Sequence, residues 1–123
     1  MNSSKPFSLL SRIRSFGYAL NGWRTLVREE PNALIHVIAA ITAVICGFVF
    51  QISTTEWLAV ILSIVIVLAS ELFNTSLELI CDHIEPDRNP QIKKIKDLAA
   101  GAVLISSLGA LAVGLIIFLP KIF

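Results

Sequence analysis

Glu71, Asn74 and Glu78 interrupt a run that is otherwise almost wholly apolar from Trp57 to Ile80. A carboxylate at the middle of a membrane helix costs at least roughly 2.5–3.5 kcal/mol on insertion scales, so one without a task is not expected to persist. Their spacing places all three polar groups on one helical stripe. At about 1.5 Å per residue, the two carboxylates lie roughly two turns apart. More charge gathers near the same boundary: Glu29 and Glu30 upstream, Asp82 at the end of the run, and Lys96-Asp97 beyond it. Carboxylates that converge repel each other unless a cation joins them. Hard oxygen ligands favour magnesium, which commonly takes one or two carboxylates, waters and substrate phosphates. A cation with a lysine beside it suggests a nucleotide's phosphate chain. Phosphoryl transfer is mainly positioning and charge neutralisation, and these residue types supply both.

Each piece also has a plainer reading. Glu29-Glu30 reads as a solvated helix end, Lys96-Asp97 as an exposed helix start, and Asp82 as a boundary marker. Glu71 lies deep in its run, where the competing role is a buried ion pair with a neighbouring span. His36 is either a polar anchor or part of a site. Asn74-Thr75-Ser76 matches a glycosylation sequon, but a position inside a span cannot be modified.

The elements that must position these groups are helices in a bilayer. The chain has 123 residues, 55% hydrophobic and 15% charged, with a mean hydropathy of +0.79. That balance is far from a soluble domain's and fits one domain, 1–123. Three segments, 33–50, 57–80 and 98–119, are long enough to cross a hydrocarbon core of about 30 Å. The fold class is therefore an all-α membrane protein: an N-terminal amphipathic surface helix over 6–30, then three transmembrane helices. The late start of the first apolar run, with no small-residue cleavage site behind it, argues against a signal peptide.

Of the ten Lys and Arg residues, five precede the first span and four lie between the second and third. The loop 51–56 has none. The positive-inside rule then puts the N-terminus and the second loop in the cytoplasm, with Lys121 on the far side. Cys46 and Cys81 fall toward opposite faces and read as small buried hydrophobes rather than a disulfide.

Phe7, Leu10, Ile13, Leu20 and Val27 recur at helical spacing with Arg12, Arg14, Asn21 and Arg28 mostly between them. That pattern suits a helix lying on an anionic leaflet, or one packed along the spans. Pro31 belongs in the first turn of the first span. Pro86 and Pro90 break the chain into a polar loop over 82–91. Ala99, Ala100, Gly101, Gly109, Ala110 and Gly114 give the third span a small face that allows close helix packing.

The stretch from Glu71 to Asp82 resembles the signature of the prokaryotic diacylglycerol kinase and undecaprenol kinase family, approximately E-[LI]-x-N-[ST]-[AS]-[IL]-E-x-x-x-D. A second block, Ile95-Lys96-Asp97-Leu98-Ala99-Ala100-Gly101, resembles the family's A-K-D and the small residues after it. Upstream, Phe16 to Arg24 and Glu29 to Asn32 resemble its surface helix and acidic end. The match covers nearly the whole chain, in order.

The resemblance implies transfer of the ATP γ-phosphate to a lipid hydroxyl. It also implies a homotrimer in the bacterial cytoplasmic (inner) membrane, with active sites shared between subunits at the cytoplasmic face. Glu71 would be the general base. Glu30 and Glu78 would hold magnesium, with Asn74 bracing that site. Lys96 would neutralise phosphate charge, Asp97 and Tyr18 would contact the nucleotide, and Asp87, Arg88 and Asn89 would lie in the loop approaching it. No nucleic-acid partner is expected.

The chain departs from the family where His is common and Asn89 stands, and where Ala is usual and Ile95 stands. Leu98-Ala99-Ala100-Gly101, Asn32 and His36 resemble the undecaprenol branch and favour a polyprenol acceptor over diacylglycerol. A second class of function is an oligomeric cation channel or transporter using the same carboxylates. The lysine and the polar loop at one face favour the kinase, and the outer half of the second span carries no polar group for a cation path.

Overall fold

The computed structural model describes residues 6–123, and among them the chain is all helix. Four helices follow in order: α1 (Leu9–Glu29), α2 (Pro31–Val49), α3 (Thr54–Ile84) and α4 (Pro90–Ile122). The last three are long and apolar enough to cross a membrane. An all-α architecture with three candidate spans is what the hydropathy pattern requires.

The helices run past the apolar segments that reveal them. At about 1.5 Å per residue, the 31 residues of α3 reach roughly 46 Å, more than a core of about 30 Å needs. Its polar end, Glu78 to Ile84, therefore stays helical beyond the apolar stretch. This shortens the loop expected over 82–91: the chain leaves helix only from Glu85 to Asn89. Pro90 falls in the first turn of α4, where its missing N–H is no loss. Pro86 lies in the break itself.

The opposite end is fixed by polar contacts. Ser53 caps α3 by accepting from the Glu56 N–H, while Glu56 accepts from the Ser53 N–H in return. The Lys121 ammonium sits 2.7 Å from the other Glu56 oxygen and ties α4 to that cap. Beside it, Ile52, Val60 and Ile117 form a small buried cluster with Trp57, Phe50 and Phe118 against it. Gly47 makes this corner possible, since a Cβ there would stand 2.5 Å from the Trp57 ring.

Helices α3 and α4 are the principal packed pair, with a Ser70–Ser106 hydroxyl contact of 2.9 Å between them. Ala99 is buried at this contact-rich end. Gly101, Gly109 and Gly114 are different. A Cβ on any of them would meet nothing within 4 Å; Gly101 and Gly109 are exposed, while Gly114 borders a hollow between the helices of this chain.

Helix α1 decides between two expectations. Leu10, Ile13, Phe16 and Leu20 are more than half exposed, and the buried residue of the helix is Leu26 at 1%. Only the C-terminal end of α1 docks on α2 and α3; the rest keeps its apolar side free, as an interfacial helix does. The two cysteines are free thiols, Cys81 buried and Cys46 half-buried.

Candidate active site

The site grows from one break in the chain. Glu30 ends α1 and begins α2 in an extended conformation, its N–H donating to the Leu26 carbonyl at 2.9 Å. Pro31 cannot continue α1 because it has no N–H to donate. The Glu30 side chain makes no capping hydrogen bond, so its carboxylate is free for other work. Burial pushes that carboxyl above its ordinary value, and repulsion from Glu78, Glu71 and Glu29 adds to the effect. Glu29, Glu71 and Glu78 thus act on Glu30 through space, whereas Asp82 and Asp97 are paired with lysines.

Glu71 is 2% exposed on α3, one of two buried polar residues among those described, the other being Thr75 at 6%. His36 of α2 reaches it, with Nε2 3.2 Å from Oε1. The approach is close but not aligned as a hydrogen bond, and Oε1 is left without an aligned donor. The same Nε2 lies 3.4 Å from Oγ of Ser107 on α4. One imidazole thus bridges all three candidate spans. An apolar hollow of about 520 Å³ runs between these helices, with His36 and Ser107 lining it at one level and Phe50 and Ile122 at the other.

Asn74, less than one turn on from Glu71 along α3, borders a smaller hollow of about 310 Å³ with Ser70, Phe73, Ala99 and Ala102, and its Oδ1 is buried without a partner. Thr75 Oγ1 is buried and unpartnered as well. An orphaned buried acceptor costs roughly 1–3 kcal/mol, which marks this part of α3 as built for something other than stability.

The basic side of the site is set by the short α3–α4 break. Lys96 forms an ion pair with Asp82 at 2.5 Å, and Lys93 pairs with Asp97 at the same distance. Asn89 caps α4, its side chain accepting from the Gln91 N–H at 2.8 Å. Asp87 and Arg88 are exposed in the break. Tyr18 is 70% exposed on the free part of α1, and the chain does not fold it onto the carboxylates.

Magnesium fits this donor set. Glu30 and Glu78 offer hard oxygen, and Glu30 lies in the field of three other carboxylates that a cation would relieve. Among the described residues, no group of three or more His, Cys, Asp or Glu side chains forms a ready-made cage. Two carboxylates completed by waters and phosphates is the usual arrangement for this ion.

The comparisons with known proteins agree with this chemistry. The family model described as prokaryotic diacylglycerol kinase matches residues 17–118. The chain belongs to that family. It is similar to an undecaprenol kinase of Bacillus subtilis, 40% identical over 124 residues that cover 99% of this chain and all of the relative. It is also similar to a diacylglycerol kinase of Synechocystis, 29% identical over 109 residues, 88% of this chain and 62% of that protein. Membership makes this chain a lipid kinase, a phosphotransferase with an alcohol acceptor.

Against that background, three residues of this lipid kinase stand closer to the site than their types announced. His36 resolves from two possible roles into a direct contact of Glu71. The signal was available, because a buried carboxylate in a span demands a partner on a neighbouring one. Asp82, which could be only a boundary marker, holds the lysine. Ser107 had no signal at all: serines on a membrane helix commonly bond back to their own carbonyls, as Ser107 also does to Val103.

Proposed function

We propose that this chain is an ATP- and magnesium-dependent kinase of the bacterial cytoplasmic membrane, taking undecaprenol in preference to diacylglycerol. The observation that carries the reading is a buried Glu71 in the field of Glu30, contacted by a histidine that lines one end of an apolar hollow. A general base for a lipid hydroxyl belongs where the headgroup arrives and water is scarce. The full-length similarity to an undecaprenol kinase supports the acceptor preference.

In this reading Glu71 accepts the proton of the acceptor hydroxyl. The freed oxygen forms a bond to the γ-phosphorus of ATP, and the bond from that phosphorus to the bridging oxygen breaks, with its electron pair leaving on ADP. Glu30 and Glu78 hold magnesium, which when bound neutralises charge on the nucleotide phosphates. Asn74 braces that site. Lys96 leaves Asp82 for the phosphates, a cheap exchange because an exposed ion pair is worth only about 0.2–1 kcal/mol. Asp97, Tyr18, Asp87, Arg88 and Asn89 contact the nucleotide from α4, α1 and the break between α3 and α4.

The N-terminus and the α3–α4 break face the cytoplasm, as the distribution of Lys and Arg supports. The working form is a homotrimer with shared sites. The open space over the exposed Gly101 and Gly109 supports close approach by a neighbouring helix.

The test is phosphorylation in detergent with magnesium and labelled ATP, offering undecaprenol and diacylglycerol in parallel. Preferential labelling of undecaprenol is expected. Preferential labelling of diacylglycerol would overturn the acceptor preference, and labelling of neither lipid by a folded preparation would overturn the kinase reading.

A further inference from the structure

We infer that His36 is a positioning residue for the transfer step. Held as the Nε2–H tautomer by Ser107, it orients the Glu71 carboxylate and keeps Oε2 free for the acceptor hydroxyl. The inference rests on the reading of Glu71 as the base.

The tautomer follows from hydrogen-bond bookkeeping. The Ser107 hydroxyl has one proton, and it donates that proton to the Val103 carbonyl at 2.7 Å. Toward His36 the oxygen can therefore only accept. Nε2, 3.4 Å away, must be the ring atom that carries hydrogen. The same Nε2 is 3.2 Å from Glu71 Oε1, and toward the ionised form that a base requires it can only donate. A ring whose Nε2 already bears a proton cannot take another there. His36 is thus a donor to the base rather than a relay for its proton.

The contact is also the donor available to Glu71 Oε1, which is buried and has no aligned hydrogen bond. Catalytic hydrogen bonds are often loose before substrate binds and tighten in the complex. Around Glu71 the facing groups are Glu30 from the α1–α2 break, His36 from α2, Glu78 from α3 and the Ser107 hydroxyl from α4. An N–H donor beside Oε1 supplies the partner that this buried oxygen lacks and fixes the plane of the carboxylate.

Two measurements decide it. In the full-length protein in detergent with ¹⁵N-histidine, the ring nitrogens report tautomer directly, and His83→Gln assigns the two histidines. The Nε2–H form is expected for His36, and Ser107→Ala should reduce its dominance. A dominant Nδ1–H form overturns the inference whether or not any variant folds. In kinetics, a lost hydrogen bond to a charged group predicts that His36→Ala lowers kcat by about ten- to a hundred-fold. KM for magnesium-ATP should stay within about two-fold, and His36→Gln, which keeps an N–H, should recover most of kcat. Equal losses in both variants, or a change confined to KM, overturn the inference. Full activity in Glu71→Gln would instead remove the base itself, so the two failures are told apart.

Discussion

Lys96 of α4 is held 2.5 Å from Asp82 of α3 across the short break between the two helices. Both side chains are substantially exposed, at 35% and 62%. The lysine proposed to meet the nucleotide phosphates thus waits on a weak partner. Asp82→Asn is expected to shift the unfolding midpoint by no more than about four degrees, the scale of an exposed pair worth 0.2–1 kcal/mol. Lys96→Met, in contrast, should lose roughly a hundred-fold or more in kcat/KM for ATP while remaining folded. Thermal unfolding and steady-state kinetics on the two variants check the contrast.

The raised Glu30 carboxyl gives a pH dependence with a definite sign. Its folded value stands above the ordinary 4.5, so the folded protein binds the proton more tightly than the unfolded chain. The stability this contributes is fully present below about pH 4.5 and is lost as pH rises through the folded value. In magnesium-free buffer, Glu30→Gln should flatten that part of the stability–pH curve and be the more stable protein at neutral pH. Adding magnesium should stabilise the parent protein more than the variant. Identical pH slopes for the two proteins would contradict it.

How much of this was legible in the sequence can be judged residue by residue. The spans and their order follow from hydropathy, and the Glu71–Asn74–Glu78 stripe from helical periodicity alone. Helix ends did not follow: α3 and α4 continue into polar sequence because a charged turn is as helical as an apolar one, and hydropathy marks lipid rather than helix. That α1 leaves its apolar side largely open became visible only in the exposure of Leu10, Ile13 and Phe16. The His36–Ser107 contact joins residues 71 positions apart, and no local pattern reports a pairing at that range. Tyr18 carries the converse lesson, since a motif can nominate a residue that its own chain leaves exposed.

Gly47 was silent in the sequence for the same reason. Its Cα faces the Trp57 ring, itself stacked at a tilt on Phe48 with centroids 4.9 Å apart. Gly47→Ala gains helix propensity of up to about 1 kcal/mol but overpacks the ring, at a typical cost of 1–3 kcal/mol. A net loss of thermal stability is expected. In a Trp57→Leu background the same substitution should become neutral or stabilising, and a double-mutant cycle on unfolding measures the coupling.

Glu78→Ala should weaken the dependence of rate on magnesium, moving the half-saturating concentration upward by about ten-fold or more, in keeping with one of two protein ligands being lost. The titration is run at saturating ATP. An unchanged magnesium curve would remove Glu78 from the metal site and leave Glu30 to be tested alone.

The most direct test of the central claim is turnover by Glu71→Gln, with nucleotide binding measured on the same preparation. A lost general base predicts a fall in kcat of about 10²–10⁴-fold while ATP binding in the presence of magnesium survives largely intact. Parental turnover from that variant would contradict the assignment of Glu71 as the base and with it the proposed chemistry of the site.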